Sequence, residues 1–111
     1  MQLREIQQFC KKLLLRVAYP RVGTIIGLQE ELGKLAGTVM DIEIYGKPFE
    51  KGKLDKKCSE IFFSLIDLCN SYEIDLEEMS MLRIEDMKKK INIWEREHGE
   101  KLRGKREKFD N

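Results

Sequence analysis

Glu30 and Glu31 stand side by side in Leu28-Gln29-Glu30-Glu31-Leu32-Gly33-Lys34-Leu35, a stretch with helical spacing. Carboxylates gathered on neighbouring turns of a helix are hard oxygen donors of the kind that hold magnesium. One turn on, where a further carboxylate would complete such a cluster, stands Lys34. A second polar stripe, Lys57, Glu60, Ser64, Asp67 and Ser71, recurs at helical steps later in the chain. Two readings fit these stripes. Glutamate and lysine ordinarily line wet helix faces, and Glu30–Lys34 is an i,i+4 pair in the favourable order, worth about 0.2–0.5 kcal/mol. Alternatively, helices packed antiparallel through their apolar seams would set both stripes along a shared groove.

The chain that must position these residues has 111 amino acids, enough for one domain with a single core. Its charged fraction of 37% is high, but the net charge is only +1. No overall field draws it to nucleic acid or to an anionic membrane. Cys10, Cys58 and Cys69 lack CxxC spacing and read as reduced thiols. His98 is the only histidine, which argues against histidine metal sites and Ser/His or Cys/His catalytic pairs. No GxxxxGK or GxGxxG loop is present. The N-terminal residues do not form a signal peptide, and no apolar run is long enough to span a bilayer, so a cytoplasmic protein is expected.

Four helices are predicted. The first covers about residues 2–18, with Leu3, Ile6, Phe9, Leu13 and Val17 facing a core, and stops at Tyr19-Pro20. The second, about 21–44, has an apolar seam of Ile25, Leu28, Leu32, Leu35, Val39 and Ile42. Gly23, Gly27, Gly33 and Gly37 fall on the side away from that seam, with Glu31 at its edge. Either close helix approach or room for a ligand would account for them. Tyr45-Gly46-Lys47-Pro48 and Lys51-Gly52-Lys53 read as loop. The third helix, about 54–72, is expected to bury Leu54, Cys58, Ile61, Phe62, Leu65, Cys69 and Tyr72. Asp75 and Glu78 resemble a capping box opening a fourth helix that ends near Glu97. Residues 1–98 are then one helical domain, and 99–111 a charged, flexible tail.

Five segments stand in order along the chain: Tyr19-Pro20, Leu28-x-Glu30-Glu31-Leu32-Gly33-x-Leu35-Ala36, Tyr45-Gly46-x-Pro48, Leu68-Cys69-Asn70-Ser71 and Ile74-Asp75-Leu76-Glu77-Glu78. Together they resemble the MazG-like all-α nucleoside-triphosphate pyrophosphohydrolases, and within them the short YpjD-like branch. The resemblance covers a little over half the chain. It implies a four-helix MazG-like bundle, dimeric or tetrameric, that cleaves a nucleoside triphosphate to the monophosphate and pyrophosphate with Mg²⁺ or Mn²⁺. It also implies a metal site made of an EExxE motif on one helix and an ExxD motif on the next.

Carried across, EExxE falls on Glu30, Glu31 and Lys34, and ungapped alignment places ExxD on Lys57 and Glu60. A second register would set Glu60 at the first ExxD position and Phe63 at the last, and breaks the downstream match. In the favoured register five acids, carrying −5, have become three acids and two lysines, carrying −1. An ammonium has no lone pair for a metal. The resemblance thus implies Glu30, Glu31 and Glu60 as catalytic and metal-binding residues weakened by Lys34 and Lys57. The two lysines would pair with these acids or meet nucleotide phosphates as point charges.

The family's Lys-x-Asn phosphate contact falls on Lys90 and Asn92 if the fourth helix carries one extra turn. Phe63 and Trp94 are base-stacking candidates, although aromatics at such spacing usually serve a core or a dimer contact. The expected function is a MazG-like nucleotide pyrophosphohydrolase-family protein with weak or lost catalysis. The alternative is a non-catalytic nucleotide-binding or oligomeric interaction module. Neither reading involves nucleic acid or a membrane.

Overall fold

A computed structural model describes residues 1–17 and 20–110. The described chain is all-α, with four helices and no strand among the described residues: α1 (Leu3–Leu14), α2 (Val22–Glu43), α3 (Lys51–Ser71) and α4 (Leu76–Asp110). It divides into two compact units, Met1–Leu76 and Glu77–Asn111. In the first unit both α1 and α2 pack on α3.

Each predicted helix is present, with shifted ends. In α1 the last turn tightens into i to i+3 bonds, with Arg16 N–H donating to Leu13 O and Val17 N–H to Leu14 O. The α-helix therefore stops several residues before the predicted end. The predicted stop at Tyr19-Pro20 falls partly outside the described residues. The Tyr45–Pro48 turn is present: Tyr45 N–H donates to Met40 O, Lys47 N–H donates to Asp41 O, and Gly46 takes φ +69°. That backbone conformation suits glycine, which has no Cβ to clash. Lys51-Gly52-Lys53, predicted as loop, forms the first turn of α3.

α4 runs through the predicted stop near Glu97 to Asp110. Lysine, arginine and glutamate are good helix formers, and they outweigh two glycines. At Gly99, Glu95 and Arg103 from the turns on either side close over the missing side chain.

The helix faces differ more than the ends. On α1 the covered line is Leu3, Ile6, Gln7, Cys10 and Leu14, whereas Phe9, Leu13 and Val17 are exposed. On α2 the covered line is Thr24, Leu28, Glu31, Leu35, Thr38 and Ile42, and Ile25, Leu32 and Val39 are exposed. Leu28, Leu35 and Ile42 belong to the predicted seam; the other three positions each slip one residue towards the N-terminus. The slip turns Glu31 inward.

On α3 the centre of the core is Ile66, which is fully buried, together with Cys69. Cys58, Phe62 and Tyr72, predicted to be buried, are exposed. The reason is the neighbourhood: α3 is flanked by α1 and α2, and polar positions facing them are covered while apolar positions facing neither are not. Burial pushes the thiols of Cys10 and Cys69 up, and at Cys10 the Asp67 carboxylate adds to this. All three cysteines are free.

Candidate functional site

The polar stripe of α3 does not face solvent alone. Lys57, Glu60, Ser64, Asp67 and Ser71 are all half-buried. Two of them meet the inward-turned part of α2. Lys57 Nζ lies 3.7 Å from Glu60 Oε2 on α3, and Lys34 Nζ lies 3.4 Å from Glu31 Oε1 on α2. Each pair is an i,i+3 pair on its own helix, and the two face each other across the α2–α3 contact. Glu31's carboxyl is held below the ordinary carboxylate range, first by the neighbouring Glu60 carboxyl. Desolvation opposes that effect, and Lys34 and then Lys57 reinforce it.

The other oxygen, Glu31 Oε2, is buried without a hydrogen-bond partner among the described residues. Such an atom ordinarily calls for a cation, a water or a donor from elsewhere. Only about a fifth of the Glu31 side chain is exposed, against more than half of Lys34. The cluster thus has three half-buried members, Glu31, Lys57 and Glu60, and one accessible ammonium, that of Lys34.

Of the predicted metal set, Glu31 and Glu60 come together. Glu30 is exposed and takes part in neither pair. No group of three or more Asp, Glu, His or Cys side chains suited to a metal ion occurs among the described residues. Magnesium needs about six oxygen donors in near-octahedral array. Two carboxylates, each already facing an ammonium, do not fit that requirement. Lys34 and Lys57 place positive charge beside both carboxylates.

Lys90 and Asn92 are exposed on α4, in the second unit, as is Trp94. Phe63 packs edge-to-face on Phe62, with ring centroids 5.4 Å apart, and borders an apolar groove with Ile6, Phe9 and Leu13. A separate cleft is lined by Lys11, Leu14, Thr24, Asp67, Asn70 and Ser71, none of them a predicted site residue. Gly27, Gly33 and Gly37 of α2 are not required for close packing among the described residues: a Cβ at any of them would meet no atom within 4 Å.

Gln7 is a structural residue that sequence reasoning missed. Buried on α1, its Nε2 donates to Asn70 Oδ1 (3.2 Å) and to Ile74 O (2.9 Å). Its Oε1 accepts the Leu76 N–H (2.8 Å), the first backbone donor of α4. Asn70 Nδ2 donates back to Gln7 O at 3.0 Å. The only signal in the sequence was a polar residue directly beside the apolar line Leu3, Ile6, Cys10.

The chain matches no family model, no curated protein and no solved structure. No helix among the described residues is long and apolar enough to cross a membrane.

Proposed function

We propose that this is a MazG-like nucleotide pyrophosphohydrolase-family protein whose catalysis is weak or lost, because its metal site has become a lysine–glutamate cluster. The reading rests on the sequence resemblance and on one structural observation: Lys34 and Lys57 occupy the carboxylates of Glu31 and Glu60. Attack by water on a phosphoanhydride needs a metal to lower the water's pKa and to neutralise developing charge. A lysine ammonium does the second and cannot do the first. What remains is nucleotide binding without turnover, with the exposed Lys34 as the point charge for phosphate.

The test is pyrophosphate release from a nucleoside-triphosphate panel with Mg²⁺ or Mn²⁺. The wild-type protein is expected to show no metal-dependent release, and calorimetry without metal is expected to detect nucleotide. The double variant Lys34→Glu, Lys57→Glu is expected to gain Mg²⁺ binding, read as a metal-dependent rise in melting temperature. Metal-dependent turnover by the wild type that disappears in Glu31→Ala would overturn lost catalysis. Absence of nucleotide binding would overturn the binding role.

A further inference from the structure

The second unit carries a feature that the nucleotide reading leaves unused. Along α4, Ile84, Met87, Ile91 and Trp94 are spaced three, four and three residues apart, and all are 43–60% exposed. Ile84, Met87, Ile91 and Asn92 line one shallow depression; Trp94, His98, Lys101 and Leu102 line another, continuing the same face. Spacing that alternates three and four is the seam of a helix packed on another helix. Written as a heptad, Ile84, Ile91 and His98 are a positions, and Met87, Trp94 and Lys101 are d positions.

The charges beside this seam are segregated. Its first flanks are Lys88 and Lys90; one heptad later the equivalent flanks are Glu95 and Glu97. In a parallel pairing of two identical helices, Lys90 would meet Glu95 but Arg83 would meet Lys88, so attraction and repulsion cancel. In an antiparallel pairing, each a position meets a d position, and equivalent flanks face each other. Ile91 then packs on Trp94 of the second copy and Met87 on His98. Lys88 faces Glu95, Lys90 faces Glu97, and beyond them Met81 meets Leu102. Two-fold symmetry makes every pair occur twice.

We propose that α4 docks antiparallel on α4 of a second copy of this chain, centred between Asn92 and Ile93. The exposed seam supplies the apolar contact, and the lysine and glutamate flanks select orientation and register. The pairing does not depend on the nucleotide reading, and it gives Lys90 a carboxylate partner in place of a phosphate.

Light scattering and sedimentation of the full chain test this. The wild type is expected to be a dimer at micromolar concentration. Lys88→Glu with Lys90→Glu turns every flanking attraction into repulsion and is expected to weaken the dimer by about tenfold or more. Adding Glu95→Lys and Glu97→Lys restores complementarity and is expected to restore the dimer. Circular dichroism of each variant checks that helix content is unchanged. As a second measurement, Lys88→Cys with Glu95→Cys is expected to yield an intermolecular disulfide, identified between those positions by peptide mass. A monomeric wild type overturns the proposal, leaving the seam to a different partner. A dimer indifferent to the double reversal overturns it too, as does cross-linking of Lys90→Cys to Glu95→Cys in preference to the 88–95 pair.

Discussion

Gln7 and Asn70 hold each other reciprocally across 63 residues of chain: the Gln7 side-chain amide donates to Asn70 Oδ1, and the Asn70 amide donates to the Gln7 backbone carbonyl. Through the same side chain Gln7 also caps the start of α4 at Leu76 N–H. A hydrophobic replacement would keep the burial and orphan the partners. Gln7→Leu is therefore expected to destabilise the fold by about 1–3 kcal/mol in urea denaturation. Asn70→Ala in combination with it should cost less than the two single losses added together.

Glu31 makes stability sensitive to acid. Because the folded protein holds its carboxyl below the ordinary carboxylate value of about 4.5, the unfolded chain binds more protons as pH falls. Its stabilisation is complete above about pH 4.5 and disappears as pH falls through the depressed folded value. Glu31→Gln should be less stable than wild type at pH 7, with the gap closing towards low pH. Melting temperatures of both proteins between pH 3 and 7 check this; a gap that widens on acidification contradicts it.

Gly33 and Gly37 sit in the interior of α2 with open space where a Cβ would be. Replacing either by alanine is expected to raise stability by about 0.5–1 kcal/mol. A loss of stability in either variant would show that this helix face is covered by something other than the chain itself.

Between α3 and α4, Glu73 takes φ +54°, a left-handed conformation unfavourable for a residue with a side chain. Glu73→Gly relieves the clash at a smaller cost in unfolded-chain entropy. The expected gain is about 0.5–1 kcal/mol in thermal or chemical denaturation.

The existence and order of the helices were legible because apolar periodicity, the Gly46 turn and the Asp75 boundary are local signals. Their faces were legible only in part. Leu28, Leu35 and Ile42 turn towards α3 as their spacing predicts, yet Glu31 takes a place that hydrophobicity alone gives to Leu32. Which side of an amphipathic stripe is covered depends on where the neighbouring helix lies, and one-helix periodicity carries no such information. Gln7 was missed for the same reason, since its partners Asn70, Ile74 and Leu76 come from the far end of the unit. At the candidate site, polar stripes on two consecutive helices made a shared border between Glu31 and Glu60 legible, whereas the outward position of Glu30 depended on helix rotation.

The two lysine–glutamate pairs also have a genetic consequence. A lysine codon becomes a glutamate codon by a single base change in its first position. As it stands, the cluster of Glu31, Glu60, Lys34 and Lys57 is formally neutral. One such change would leave three carboxylates against one ammonium, with the unpartnered Glu31 Oε2 still facing inward. The second would complete a four-carboxylate site on helices already packed together. A charge-paired strut and a cluster of four carboxylates are therefore only two base changes apart, with the intermediate strained by repulsion among its three carboxylates.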